Sequence, residues 1–171
     1  MSIDDRYEKN SALSGSGGAV SMTASLLNFD GKTTCQNNSA INGGGGCVLW
    51  ESEATSVHDK KWKTFQPNIS NLQLIQNNNA WYGSSLATPG VSLRVVNFTR
   101  MTTNELNILQ PLFPKVEVLD WYESVVKGSF GNDIEMTAKL MTTGSNLFGA
   151  IITKTNTEGR ASFNALGIQG I

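Results

Sequence analysis

The sequence is poor in charged residues, and this shortage argues against one large class of function. Only 16% of its 171 residues are charged, compared with about 25% in an average globular protein. The formal net charge is −1, whereas nucleic-acid binding requires clustered Lys and Arg. The one dense basic stretch, residues 58–63, is short and contains its own Asp59, which is typical of a solvated loop. We therefore expect no nucleic-acid partner.

Long apolar runs are also missing. No run approaches the roughly 20 residues that a membrane-spanning helix needs, so we expect no membrane span within this sequence. Residues 1–10 lack the apolar core of a signal peptide. We interpret the sequence as a fragment of a longer extracellular or cell-surface protein whose signal peptide is not present here.

The sequence contains a single histidine and two cysteines. Cys35 and Cys47 are twelve residues apart, a spacing that permits a disulfide without demonstrating one, and two buried thiols are the next alternative. The spacing does not fit a zinc site. We expect no metal site and no cofactor.

Asn, Ser, Thr and Gly take the place of the missing charges, and they recur in a pattern. Residues 10–20 read NSALSGSGGAV, residues 38–48 read NSAINGGGGCV, and a third, degraded copy begins at Asn78. The copies align at Ala12, Ala40 and Ala80. The second interval is longer, which an insertion at residues 52–67 explains.

This repeat predicts a right-handed parallel β-helix over residues 1–90, with one coil per copy. Stacked coils bring equivalent residues to the inter-strand spacing of about 4.8 Å, so Asn side chains can form a hydrogen-bonded ladder. Asn and Gly also tolerate the left-handed backbone of tight corners. The alternative is that the repeats are loops of an antiparallel sandwich.

After Pro89 the pattern changes to short β-rich runs separated by turn signals every ~10–12 residues. This predicts an immunoglobulin-like β-sandwich over residues 91–171. We count five strands where such a fold has about seven. We therefore expect the sandwich to be incomplete: either an incoming strand completes its sheet, which is the hypothesis we favour, or the fragment ends before the fold does.

The first half resembles the repeats of polymorphic outer-membrane proteins and related pectin-lyase-like β-helices, which carry an aromatic-x-x-Asn followed by a Gly-Gly-apolar element. In copy one the matching residues are Tyr7, Asn10, Gly17, Gly18, Ala19 and Val20. In copy two Cys35 stands at the aromatic position, and the other matches are Asn38, Gly45, Gly46 and Cys47. In copy three Ile75 stands at the aromatic position, followed by Asn78 and Gly83. Copy three lacks Gly-Gly, as expected of a terminal coil.

The second half is similar to filamin- or invasin-like immunoglobulin-type domains of large surface proteins. The similarity lies at residues 116–126, VEVLDWYESVV, and at residues 147–170, where Glu158-Gly159 forms a turn and Phe163 and Leu166 are expected to point inward. These motifs are structural and degenerate, so the resemblance implies a fold far more than a function.

Catalytic signatures are weak. β-Helix enzymes that degrade polysaccharides cluster Asp, Arg or Lys on one outer face, whereas Asp4, Asp5, Asp30 and Asp59 lie at unrelated offsets in the repeat. His58 has no nucleophile elbow to serve, and the glycines of residues 43–46 lack the Lys-Ser/Thr of a phosphate loop. We predict that the protein is not an enzyme and assign no catalytic residue.

Three sequons, at Asn37, Asn68 and Asn97, are candidate N-glycosylation sites. Trp62, in the insertion, is the candidate ligand contact, because an exposed tryptophan can stack on a sugar ring. Trp50 and Trp81 are instead expected to cap the coils or fill the joint between the two halves.

Together these features predict a structural or adhesive segment that assembles with copies of itself or with neighbouring segments into a filament, stalk or sheath. The alternative is a carbohydrate-binding adhesin module. A β-helix enzyme acting on polysaccharides is a third and weaker hypothesis.

Overall fold

The computed structural model describes residues 5–29, 32–52, 61–96, 114–141 and 144–170. These residues form an all-β protein, as predicted, with one four-residue helix (α1, Lys61–Thr64) and one 3₁₀ turn (Gly128–Phe130). No helix in these ranges is long and apolar enough to cross a membrane.

The first nine strands come from three successive segments, which we call coils 1, 2 and 3. Coil 1 contains β1 (Arg6–Glu8), β2 (Ser11–Ala12) and β3 (Val20–Thr23); coil 2 contains β4 (Thr33–Gln36), β5 (Ser39–Gly44) and β6 (Val48–Glu51); coil 3 contains β7 (Leu72–Gln76), β8 (Asn79–Tyr82) and β9 (Leu86–Ala87). Each coil contributes one strand to each of three parallel sheets, β1-β4-β7, β2-β5-β8 and β3-β6-β9.

The register of these sheets confirms the alignment of the repeats. Ala12 pairs with Ala40, and Ala40 pairs with Ala80. The insertion predicted between the second and third copies lies between β6 and β7, and α1 is part of it. Buried apolar side chains fill the space between the sheets, among them Phe29 and Val48.

Each coil turns at two left-handed corners. One corner is the residue before the ladder Asn, where Lys9, Asn37 and Asn77 have φ of 55°, 56° and 53°. The other is a glycine, Gly17, Gly45 or Gly83, with φ of 71°, 71° and 54°. Asn and Gly are the residues that adopt this conformation at least cost, and only Lys9 departs from that preference.

The second half is built from short antiparallel strands. They are β10 (Ser92–Val96), β11 (Lys115–Leu119), β12 (Glu135–Thr137), β13 (Ser145–Gly149), β14 (Ile152–Lys154), β15 (Arg160–Ser162) and β16 (Leu166–Gly170). They pair as β10-β11-β15, β12-β14 and β13-β16. Phe163 is buried and Leu166 packs against the same cluster, as predicted.

The expected count of five strands is wrong, because the described residues of this half contain seven. Two apolar runs that read as single strands are each broken in two. Gly149, with φ of 84°, ends β13 before β14 begins, and a turn after Phe163 separates β15 from β16.

The predicted boundary at residues 90/91 falls between β9 and β10, and apolar packing is continuous across it. One buried cluster joins Leu49, Tyr82 and Ala87 of the coils to Val116 and Val118 of β11. The two halves therefore share a core, so the position of one half depends on side chains of the other.

Candidate functional site: strand edges, ladders and the joint

A ladder of asparagine side chains runs through the three coils. Asn10 Nδ2 donates to Asn38 Oδ1 at 3.0 Å, and Asn38 Nδ2 donates to Asn78 Oδ1 at 3.1 Å. The predicted ladder is confirmed. Asn38, in its centre, is only 1% exposed and also donates to the Tyr7 carbonyl at 2.9 Å, so it ties neighbouring coils through both of its polar atoms.

A second amide ladder was missed by the sequence reasoning. Gln76 donates to Gln36 at 3.2 Å, Gln36 donates to Glu8, and Arg6 pairs with Glu8 at 2.8 Å. The available signal was a long polar side chain two residues before each ladder Asn. The ladder ends at a carboxylate, which can only accept hydrogen bonds while it is ionised.

Cys35 and Cys47 form a disulfide in the structure, with their Cα atoms 6.1 Å apart. This is one of the two arrangements that their spacing left open. Both residues are fully buried inside coil 2. The bond links strand β4 to the entrance of β6, so it closes one coil on itself.

The joint between the halves is formed by aromatic residues. Trp50 is fully buried, its ring meets the edge of Trp121 at a centroid distance of 6.3 Å, and its Nε1 donates to the Tyr122 hydroxyl at 3.0 Å. The prediction that Trp50 fills the joint is confirmed. Trp81 is 40% exposed, and its ring lies against Gly128 of the second half.

A buried carboxylate lies beside this joint. Asp120 is 1% exposed, and its Oδ1 accepts from the backbone N–H groups of Tyr122 and Ser124 at 2.9 and 2.8 Å. Burial raises the pKa of Asp120, although these backbone donors oppose part of the rise. Burial also raises the pKa of Tyr82 and Tyr122. The Asp120 carboxylate organises the turn after β11.

Strand β10 presents an apolar edge. Among the described residues it pairs only with β11, and its Leu93 and Val95 are 62% and 54% exposed. Their register partners, Val118 and Val116, are buried in the core. Cross-strand partners lie on the same face of a sheet. Leu93 and Val95 therefore lie on the face that packs into the core, at the edge of the sheet formed by β10.

The opposite face of the same strands carries an Arg–Glu–Arg row. Glu117 is 6% exposed and lies between Arg94 and Arg160 on the flanking strands, with contacts of 2.7 and 2.9 Å. Hydrogen bonds from Arg94, and secondarily from Arg160, lower the pKa of Glu117. The row holds β10 to β11 and β15.

This row predicts an acid-sensitive contribution to stability. Because folding lowers the pKa of Glu117, its stabilisation is complete above the unfolded-state pKa of about 4.3 and is lost as pH falls through the folded value. We expect Glu117→Gln to lower the free energy of unfolding by roughly 1 kcal/mol near neutral pH, as for other partly exposed ion-pair networks. Below the folded-state pKa of Glu117 we expect the two proteins to have the same free energy of unfolding. Urea unfolding of both proteins across this window measures the difference, and a difference that does not change with pH would contradict the assignment.

The sequons differ in their surroundings. Asn37 is exposed at its left-handed corner, while its neighbour Asn38 carries the ladder. Asn68 is exposed, and its Oδ1 accepts from Ser70. Asn97 lies outside the described residues. Glycosylation at all three sites stays a prediction.

Most of the remaining candidate residues lie outside the part of the chain that the structure describes. Trp62 lies in α1, and its role as a ligand contact stays a prediction. Of the residues weighed for catalysis, Asp4, Asp30, His58 and Asp59 fall outside the described ranges. Within those ranges, no group of three His, Cys, Asp or Glu residues could hold a metal ion.

Comparison with known proteins adds no family to this description. No protein-family model, curated protein or solved structure matches the chain.

Proposed function

We propose that this chain is a structural and adhesive segment of a large extracellular or cell-surface protein. In this proposal a short right-handed parallel β-helix is followed by an immunoglobulin-like sandwich, and copies associate into a filament, stalk or sheath. The three parallel sheets and the in-register repeats support the first element. The buried disulfide suits an oxidising, extracellular compartment.

The observation that carries the assembly is the apolar rim of β10. An exposed strand edge with unpaired backbone groups and apolar side chains is a template for another strand. Adding a strand there would cover Leu93 and Val95, which are 62% and 54% exposed, and would continue the core face already formed by β11. Strand addition uses backbone hydrogen bonds for affinity and alternate side chains for specificity.

Sedimentation velocity over a range of concentrations tests this proposal. We expect the full chain to associate with increasing concentration and Val95→Lys to stay monomeric, because a charge on an edge strand opposes pairing. Leu26→Lys is the matched control. Leu26 is 71% exposed but lies between β3 and β4, so this variant should associate like the wild type.

Two outcomes would contradict the proposal. One is a wild-type chain that is monomeric at every concentration. The other is equal loss of association in Val95→Lys and Leu26→Lys, which would remove β10 as the contact. Far-UV circular dichroism of each variant confirms that its fold is retained.

A further inference from the structure

The outer backbone edges of β1, β2 and β3 form a surface that we call the coil-1 edge. Among the described residues these strands pair only with coil 2. In β3 and just after it, the N–H groups of Val20 and Ala24 donate to the carbonyls of Cys47 and Glu51 in coil 2. Because amides alternate in direction along a parallel strand, those of Ser21 and Thr23 point away from coil 2.

The asparagine ladder has one direction, which the backbone determines. The backbone N–H of Asn10 donates to Asn38 Oδ1 at 2.9 Å, and that of Asn38 donates to Asn78 Oδ1 at 3.0 Å. A backbone N–H cannot accept a hydrogen bond, so the facing atom must be the amide oxygen. Each ladder oxygen therefore receives donors from the preceding coil, and at the coil-1 edge the corresponding acceptor is Asn10 Oδ1.

The residue after each corner glycine also distinguishes the two ends of the stack of coils, because its Cβ position points toward the following coil. A Cβ atom on Gly18 would lie 2.3 Å from the Gly46 carbonyl oxygen, and one on Gly46 would lie 2.2 Å from the Ser84 oxygen. Both distances are shorter than a Cβ atom and an oxygen can approach, so this position must be glycine wherever another coil follows. Coil 3 has Ser84 at this position, and Ser84 is exposed. Its Cβ occupies the place where the carbonyl of a following coil would lie.

We propose that the coil-1 edge docks a further coil of the intact repeat, presented by a neighbouring segment and running parallel to coil 1. The ladder Asn of the docked coil would donate through its backbone N–H and its side-chain amide to Asn10 Oδ1. The glycine after the corner glycine of the docked coil would face the Gly18 carbonyl. The coil-3 edge is closed to a fourth coil by Ser84. This inference rests on the proposed structural role of the stacked coils.

A second copy of this chain does not fit the same edge. Its coil 3 would bring Ser84 against the Gly18 carbonyl, and its own coil-1 edge would oppose one Asn10 oxygen with another.

The test extends the full chain by one coil and measures amide hydrogen exchange. The added coil, placed ahead of Asp5, copies residues 33–51 followed by residues 24–32, which preserves the 28-residue spacing of coils 1 and 2. We expect exchange of the outward Ser21 and Thr23 amides to slow by about tenfold or more, because they become hydrogen-bonded. The Val20 amide, already bonded to coil 2, reports that the chain is folded.

Two matched extensions make the test specific. In one, the added coil's copy of Gly46 is changed to Ser, reproducing Ser84; in the other, its copy of Asn38 is changed to Ala. Both should lose the slowing of exchange at Ser21 and Thr23. No slowing with the intact coil, or equal slowing with all three extensions, would overturn the inference. Sedimentation of the unextended chain tests assembly through β10 separately, so either idea can fail while the other stands.

Discussion

Replacing Asn38 by alanine is expected to lower the free energy of unfolding by about 3 kcal/mol. The side chain is 1% exposed, and its removal leaves the Asn10 backbone N–H without its acceptor and the Tyr7 carbonyl without its side-chain donor, while Asn78 Oδ1 keeps only the Asn38 backbone N–H. Each buried polar group left unsatisfied costs about 1–3 kcal/mol, and a connected network amplifies the loss. Urea denaturation at neutral pH measures the effect.

Asn10→Ala is the matched control for this prediction. Asn10 is exposed, and Asn38 Oδ1 keeps the backbone N–H of residue 10 as a donor after the substitution. We expect a loss of about 1 kcal/mol or less, the value of one solvent-accessible hydrogen bond. Equal losses in the two variants would show that the central rung has no special role.

Trp50→Ala is expected to lower the free energy of unfolding by about 3–5 kcal/mol, the range found for buried aromatic residues. Trp50 is fully buried, stacks edge-on against Trp121 and donates to Tyr122. Because these partners belong to the other half of the chain, the substitution should also separate one cooperative unfolding transition into two. Differential scanning calorimetry reports both effects.

Tyr122→Phe provides a milder variant at the same contact. It removes the hydroxyl that accepts from Trp50 at 3.0 Å and keeps the ring, so we expect a loss of about 1 kcal/mol and a single transition. If Trp50→Ala left one transition with an unchanged midpoint, the aromatic joint would not couple the two halves.

Much of the first half could be predicted because its repeat is explicit in the sequence. Equivalent Asn, Ala and Gly residues at matched offsets predict stacking in register, and stacking brings the Asn side chains within hydrogen-bonding distance. The third copy departs from the pattern at Ser84, and the structure supplies the reason. Glycine is needed only where a following coil approaches, and no described strand follows coil 3 in its sheets.

The second half was less predictable because its pairing is non-local. Single apolar runs do not show where a glycine such as Gly149 will adopt a left-handed φ and divide a strand. The Arg94–Glu117–Arg160 row joins residues far apart in the sequence, which only the pairing of three strands brings together. The exposure of Leu93 and Val95 likewise depends on which strand ends its sheet.

The sequence by itself determined the all-β class, the register of the coils and the asparagine ladder, because these follow from short repeated motifs. Only the tertiary structure decided that the two halves share a core through Leu49 and Tyr82, that Trp50 bonds to Tyr122, and that, among the described strands, β10 pairs only with β11 and coil 1 only with coil 2. Those features depend on contacts between segments distant in the sequence. Local patterns carry no information about such contacts until the chain is folded.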